Sequence, residues 1–599
     1  MSKNALAAIA TQVMWNRLIA VVEEQAQSLL RTAFGTITRE AGDLSAGVYD
    51  TKGQMIAQAM TGTPGHVNTM ATAVAHFFKL YPQSTMKPGD VYVTNDPWLG
   101  TGHLFDYVVM TPVFIGGKLV AFFASTCHVI DVGGVGMSAK ANSSFEEGTL
   151  IPHLKLRKEG TLNEELLAVI LANSRSPVEV RGDLLSLISA NDTGARRLIA
   201  MMSEFKLASL DSLAKHILTQ SEKGARAAIK ALPEGEWSYE MPLDGYESPI
   251  LLKSKLTISK GKITIDFSGS SPASLYGINS PRTYSHAYSV FGLKAVIAPH
   301  VPNNIGSLSC FDLVTEPGTC VDPIRPSPVT ARHVIGQMLA DCVFGCLAQA
   351  LPGTVQAESA GSIWILSLYS AHGRVPPDQT SKARNFAVIN MGLGGIGGRP
   401  GKDGLATTAF PSGVGTIPVE VTETQCPLYF KRKHYLVDSG GAGEWRGGVS
   451  QIIEIANRED APFAISAATF DRIRNPAQGR DGGLPGCNGA ARRGSGAALA
   501  DKGIHIIAEG DSLMLELPGG GGFGDPAKRD RAMVKADVAA ELVSLDAARR
   551  DYGFDGSVYP QDPLPLVGRA GVGVRESSRQ PSPTPTPPHK GRAVRGMSR

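Results

Sequence analysis

The chain has 599 residues, of which 43% are hydrophobic and 19% are charged, and its formal net charge is +3 at pH 7. This length exceeds what one hydrophobic core supports, so roughly two to four domains are expected. The small net charge, without a basic stripe interleaved with aromatic residues, argues against nucleic acid as a partner.

The sequence also argues against a membrane or exported protein. Its longest apolar runs have about the length of a strand, well short of the roughly 18 residues that a membrane span needs. The first residues lack the continuous apolar segment of a signal peptide. The 7 cysteines are odd in number and widely spaced, which is typical of reduced thiols rather than of a disulfide framework. We therefore expect a cytoplasmic protein with no membrane partner.

The first predicted element is a helix over residues 5–32, where apolar residues recur at helical spacing. A strand, a turn at Lys52-Gly53 and a second strand follow. Glu40 and Asp43 precede the first of these strands, so both carboxylates are expected at its end. Such carboxylates often only cap a strand in solvent, and a binding role is the alternative.

The next segment places His66 at the mouth of a predicted helix that Asn68 or Thr69 would cap. Two interpretations of His66 remain open. The imidazole either satisfies backbone groups or faces a substrate.

The stretch 91–134 contains two β-rich apolar runs joined by Ile115-Gly116-Gly117, which predicts a hairpin. Antiparallel pairing brings the outer ends of the runs together. Four polar residues are therefore expected at one end of the sheet, namely His103, Asp106, His128 and Asp131. Imidazole nitrogens with a carboxylate oxygen are donors that a divalent metal takes. The alternative is that these residues only cap strands and turns.

Farther along, alternation over 236–266 predicts a second hairpin, and an apolar segment from residue 331 has the length of a buried helix. Arg332 and His333 stand at the start of that helix, where the helix dipole favours anionic groups. A purely structural role for these two residues is the alternative.

Three segments are rich in glycine, namely 392–401, 440–448 and 519–524. We interpret them as tight turns with positive φ and close backbone approach. None contains GxxxxGK[ST], so no P-loop is recognisable and any nucleotide is expected on another chain. From residue 556 the composition changes to Pro, Arg, Ser and Gly, and we predict a disordered tail.

Long motifs carry a resemblance that covers residues 10–555. They are E-x-x-D-x-S from Glu40, PGHVNTM around His66, NDP…GTGHLFD from Asn95, CHVIDVGG from Cys127, RGDLLSLISAN from Arg181, GINSPR from Gly277, VTARHVIGQ from Val329, DSGGAGEWRGG from Asp438 and LPGGGGFGDPAKRD from Leu517. Together they resemble the hydantoinase B family. That family includes the B subunits of ATP-dependent N-methylhydantoinases, the C-terminal half of 5-oxoprolinases and the alpha subunits of acetone-type carboxylases.

The resemblance implies one divalent metal ion, with manganese or zinc expected. Its ligands would be Glu40, His103, Asp106 and His128. Asp43 and Asp131 would orient these ligands, and Asp43, His66 or Asp131 would act as general base. Two departures from the family pattern occur: Val129 follows His128 where a second histidine is common, and Phe105 replaces the usual proline.

For the fold, we predict an α+β, antiparallel-sheet-rich, multidomain hydantoinase B-like architecture. Its regions are an N-terminal metal-bearing region over 1–235, a central β-rich region with a buried helix over 236–430, a Gly-rich C-terminal region over 431–555 and the disordered tail over 556–599.

For function, the resemblance implies the B subunit of a hetero-oligomeric hydrolase of cyclic amides. A hydantoinase A-type subunit would use ATP to phosphorylate the amide oxygen, and water activated by the metal would open the ring. One alternative is the alpha subunit of an ATP-dependent ketone carboxylase. Another is a non-catalytic assembly subunit whose metal is structural.

Overall fold

The computed structural model describes residues 3–61, 63–361, 363–380, 383–554 and 556. Helices occur along the whole described chain, between the strands. They are Lys3–Thr32 (α1), Thr36–Arg39 (α2), Pro64–Leu80 (α3), Ser144–Glu147 (α4), Glu164–Ala172 (α5), Pro177–Glu204 (α6), Asp211–Lys230 (α7), Arg282–Ile297 (α8), Ile305–Leu308 (α9), His333–Gly336 (α10), Met338–Ala350 (α11), Val419–Gln425 (α12), Arg531–Ala539 (α13) and Leu545–Tyr552 (α14).

The first sheet has seven strands, each antiparallel to its neighbours. In spatial order they are Met55–Gln58 (β2), Leu44–Tyr49 (β1), Lys118–His128 (β5), Asp106–Ile115 (β4), Val91–Thr94 (β3), Leu154–Lys158 (β6) and Thr161–Leu162 (β7). The hairpins predicted at Lys52-Gly53 and at residues 115–117 are both present.

Three sheets of four strands follow. The second sheet is Phe311–Val314 (β11), Lys262–Asp266 (β10), Ile250–Ser259 (β9) and Gly235–Leu243 (β8), in which β10 and β11 are parallel. The third is Ala387–Leu393 (β13), Ile363–Ser370 (β12), Phe463–Ser466 (β16) and Ile504–Ile507 (β18). The fourth is Leu428–Tyr435 (β14), Gln451–Asn457 (β15), Ser512–Glu516 (β19) and Ala490–Arg493 (β17). The prediction of an α+β fold rich in antiparallel sheet is confirmed.

Helices cover both faces of the first sheet. Along β5, Ala121 and Phe123 pack into one core with α1 and α6, whereas Phe122 and Ala124 pack into another with α3 and α8. Successive side chains of a strand point to opposite faces, so the continuous apolar run of β5 suits burial on both sides. The ends of these strands consequently lie inside the protein.

Two buried side chains of α6 explain the RGDLLSLISAN motif. Asn191 donates to a carbonyl of β4 at 3.0 Å and accepts from Gln25 of α1 at 2.8 Å. Asp183 accepts the backbone N–H groups of Phe34 and Gly35 at 2.8 and 3.0 Å. The motif therefore fixes α1 to the sheet and holds the segment that leads into α2 and residue 43.

The three glycine-rich segments pack backbone against backbone, and we call 392–401, 440–448 and 519–524 together the glycine interlock. A Cβ atom on Gly395 would lie 1.8 Å from the carbonyl oxygen of Gly448, and one on Gly519 would lie 1.7 Å from that of Ser439. Gly520 donates its N–H to Gly448 at 3.1 Å. Most of these glycines lie outside the positive-φ region, so close approach rather than turn geometry requires them.

The described residues from 3 to 556 form one compact unit. The internal boundaries after 235 and 430 stay predictions, and the predicted disordered tail lies, apart from Gly556, outside the described residues. Within the described part of the chain, none of the helices combines the length and the apolarity needed to cross a membrane.

Candidate metal centre

Three buried side chains meet where β4 begins and β5 ends. In the register of this hairpin Asp106 pairs with His128, and His103 precedes Asp106 by one short loop. Their ligand atoms all lie within 4.8 Å of one another, and all three side chains are buried. The convergence that the hairpin predicts is therefore present for these three residues.

The hydrogen bonds of His103 leave one ring nitrogen without a proton. Its Nδ1 donates to the carbonyl oxygen of Thr330 at 2.9 Å, and burial, with Arg332 nearby, lowers the pKa of His103 to about 4. The ring is therefore neutral, and its Nε2 carries a lone pair. That Nε2 lies 2.9 Å from Oδ1 of Asp106, yet neither atom makes a hydrogen bond to any described residue. Two facing lone pairs repel each other unless a cation lies between them, so this donor set fits a divalent metal.

Asp106 is the charged centre of the group. Its Oδ2 accepts from Arg332 Nη2 at 2.6 Å and from His66 Nε2 at 2.8 Å. Although burial favours the neutral acid, His66 and Arg332 hold the pKa of Asp106 well below its usual value. These two partners consequently favour the ionised form of Asp106.

Asp43 lies beside the group because of the strand register. Leu44 pairs with Cys127 at the start of β1, so the neighbouring His128 N–H donates to the carbonyl oxygen of Asp43 at 3.3 Å. The Asp43 carboxylate lies 3.4 Å from Nδ1 of His66. Burial opposes a charged imidazole, but Asp106 and Asp43 raise the pKa of His66 above its usual value.

These residues open on a narrow chamber with a cavity volume of about 40 Å³. Its polar lining consists of Asp43, Thr63, His66, His103, His128, Tyr284, Tyr288, Arg332, His333, Gln337 and Ser412. Its apolar lining consists of Ile37, Met137, Ile363, Ile365, Ile389, Met391 and Val414. The chamber thus has a charged part suited to metal chemistry and an apolar part suited to a small organic ring.

Comparison with known proteins identifies the family. The model of the hydantoinase B/oxoprolinase family matches residues 7–526. The chain belongs to this family. Among curated relatives, the putative B subunit of a D-/L-hydantoinase from Pseudomonas sp. (strain NS671) is 26% identical over 91% of this chain and 94% of its own.

Two solved structures share the hydantoinase B fold. The ATP-dependent caprolactamase from Pseudomonas jessenii superposes with a TM-score of 0.83 at 24% identity, over 93% of this chain and 97% of the other. A nucleotide-free acetone carboxylase superposes with a TM-score of 0.78 at 19% identity, over 91% of this chain and 79% of the other. At these identities the likeness concerns the fold alone.

Two predicted site residues of this hydantoinase B chain lie away from the three-residue group. Glu40 follows the last turn of α2, and its carboxylate accepts from Arg39 Nε at 2.8 Å. It is absent from both the group and the chamber lining. Asp131 lies beyond the end of β5, where the chain has turned away, and its carboxylate pairs with Arg175 and accepts from Ser174 Oγ at 3.2 Å. Asp131 lines a neighbouring cleft instead.

The chamber also contains residues to which the sequence assigned no role. Tyr284 lies beneath the Arg332 guanidinium, whose carbon is 4.2 Å from the ring centroid. Tyr288 and Ser412 share a hydrogen bond of 2.5 Å between their hydroxyl oxygens. Gln337 closes the VTARHVIGQ motif, which was the only sequence signal for this part of the wall. Arg332 and His333, at the start of the predicted helix, both line the chamber.

Proposed function

We propose that this chain is the metal-bearing B subunit of an ATP-dependent hydrolase that opens cyclic amides. The observation that carries the proposal is the buried group of His103, Asp106 and His128, with its facing lone pairs, at the wall of a partly apolar chamber. Membership of the hydantoinase B/oxoprolinase family supports the substrate class. Relatives that are named as single subunits of a hydantoinase and of a caprolactamase support a partner subunit.

We propose manganese or zinc at this group, because both accept imidazole and carboxylate ligands. Asp43 is a better candidate than Glu40 for a further carboxylate, since it lines the chamber. A bound ion would act as a Lewis acid toward the attacking water. We propose His66, which contacts Asp43 and Asp106, as the acceptor of the proton of that water.

Arg332 is placed to hold an anionic group. Its Nε donates to the carbonyl oxygen of Thr101 at 2.7 Å and its Nη2 to Asp106. Its Nη1 has no hydrogen-bond partner among the described residues. A buried guanidinium with a free donor suits the phosphoryl oxygen of an activated amide. The apolar wall would hold the ring and keep bulk water away from it.

We propose that the phosphoryl donor, ATP, binds to the partner subunit and not to this chain. A ring amide is a poor electrophile, and the sequence contains no P-loop. An A-type subunit that phosphorylates the amide oxygen with ATP would make the ring carbon reactive. We therefore expect a heteromeric complex that is inactive when either subunit is missing.

The test combines the chain with an A-type partner and measures ADP release and ring opening over a panel of cyclic amides. His103→Ala and His128→Ala should lose stoichiometric metal and turnover, whereas His216→Ala, on an exposed part of α7, should keep both. Full metal content in His103→Ala would refute the metal assignment. Steady ring opening by the single chain without ATP would refute the partnership.

Two further arms separate the alternatives. ADP release that needs a ketone and bicarbonate instead of an amide would indicate a carboxylase. Turnover in the complex that stays unchanged when His128→Ala has lost its metal would indicate an assembly subunit whose metal is structural.

A further inference from the structure

One side-chain amide of the chamber has an incomplete set of hydrogen bonds. Gln337 connects α10 to α11 and is 2% exposed. Its Oε1 has no donor among the described residues, and its Nε2 makes only a 3.4 Å contact to Ser412 Oγ. Buried polar groups in native proteins are almost always paired. An amide left in this state at a chamber wall is therefore suited to a ligand that supplies the missing partners.

The residues around Gln337 offer it little else. Ser412 shares a 2.5 Å hydrogen bond with Tyr288 and accepts from Gln337 Nε2, and it makes no hydrogen bond to Gln337 Oε1. His333, one turn earlier, also has an unpartnered Nε2 and lines the same chamber. The ligand that completes Gln337 consequently needs a donor and an acceptor close together.

The chemistry of a carboxamide narrows the class of that ligand. A glutamine presents an N–H donor and a C=O acceptor on one edge. In a small ring the amide is held cis, so its own N–H and C=O also lie on one edge, and two such edges pair through two hydrogen bonds. An open-chain secondary amide is trans, so it offers only one of these groups to the same edge.

We propose that Gln337 is a specificity-determining residue that binds the cis-amide edge of a ring substrate. This inference rests on the proposed function and assigns the recognition of its substrate.

The test measures binding to the metal-loaded full-length chain by calorimetry, without partner or ATP. The probes are unsubstituted lactams of several ring sizes, their N-methyl derivatives and open-chain secondary amides with the same number of atoms. The wild-type chain should bind the best lactam about tenfold or more tightly than either analogue, because each analogue leaves a buried polar atom of Gln337 unpaired.

In Gln337→Met the affinities for the lactam and for its analogues should differ by no more than about twofold. Gln349→Met, the same change at an exposed position of α11, should keep the wild-type preference. The melting temperature of each variant is measured in parallel to check that it is folded. If Gln337→Met folds poorly, Gln337→Leu replaces it in the binding measurements.

The outcomes separate the inference from the proposed function. A preference that persists in folded Gln337→Met, equal binding of lactam and analogues by the wild type, or no binding of any probe would each overturn the role of Gln337. ATP-dependent ring opening in the two-subunit assay would still support the proposed function in those cases. Lactam binding that depends on Gln337, without any ATP-dependent turnover in the two-subunit assay, would instead support the role of Gln337 and refute the proposed hydrolase function.

Discussion

Two arginines with similar partners and different burial offer a sharp test of the energetics of the site. Arg332 donates to Asp106 at 2.6 Å and lies over Tyr284, with only 4% of its side chain exposed. Arg325 lies 2.6 Å from Asp96 and over Trp98, with 46% of its side chain exposed. Methionine in place of either arginine removes the same charge and keeps much of the apolar stem.

The expected losses differ because water screens only one of the two pairs. Removing one partner of a buried ion pair costs about 3–5 kcal/mol, since the other charge stays buried without compensation. In the second pair the arginine is half exposed, so water screens it in part even though Asp96 is only 7% exposed. We therefore expect Arg332→Met to lose about 3–5 kcal/mol of unfolding free energy and Arg325→Met to lose clearly less, because water can solvate part of the second site. A divalent cation on Asp106 should reduce the first loss, because it supplies the missing positive charge.

The assay is urea denaturation of both variants and the wild type, with chelator and again with manganese or zinc. Equal losses for the two variants would refute the burial argument. A loss for Arg332→Met that grows on adding metal would refute the placement of the cation beside Asp106.

Two further changes test how the site is supported. Gly336→Ala should cost about 1–3 kcal/mol of stability and lower both the denaturation midpoint and the activity, because the new Cβ would lie 2.3 Å from Cε1 of Tyr284. In the control Gly415→Ala, the new Cβ meets only ordinary contacts. Equal effects of the two changes would contradict the clash. Burial raises the pKa of Asp183 to about 6 from 3.8, so between these two values the folded chain keeps a proton that the unfolded chain releases. The stability that this group contributes is therefore present below about pH 4 and is lost as the pH rises through about 6. Asp183→Asn should therefore flatten the pH dependence of the denaturation midpoint between about pH 4 and 7, and a dependence equal to the wild type would contradict the shift.

The hairpin of β4 and β5 is the part of the site that sequence predicts best. Its turn glycines and apolar runs are local signals, and the register of the turn then determines which residues meet. Asp106 and His128 follow from that register, and His103 lies three residues before Asp106, whereas Asp131, expected from the same argument, lies away from the group.

The choice between Glu40 and Asp43 depended on structure that the motif does not encode. Both carboxylates belong to one E-x-x-D motif, and only the end of α2 and the pairing of Leu44 with Cys127 decide which faces the chamber. The useful signal was the position of Asp43 directly before the strand.

The far wall was beyond local inference. Arg332 and Gln337 lie more than 200 residues from Asp106 along the chain, and neither the spacing nor the periodicity of a segment reports contacts at that separation. Such residues are found only when the packing of α8 against both α3 and α11 is known.

The glycine interlock has a consequence for the order in which the protein assembles. Its three segments come from distant parts of the chain, and each offers the others backbone rather than apolar side chains. Bringing them together costs loop-closure entropy while releasing little water from apolar surface. We therefore expect the interlock to form late, after the sheets that carry β12, β13 and β15 have collapsed around it. On the ribosome the site-bearing hairpin would then be complete long before residues 519–524 emerge to join the interlock.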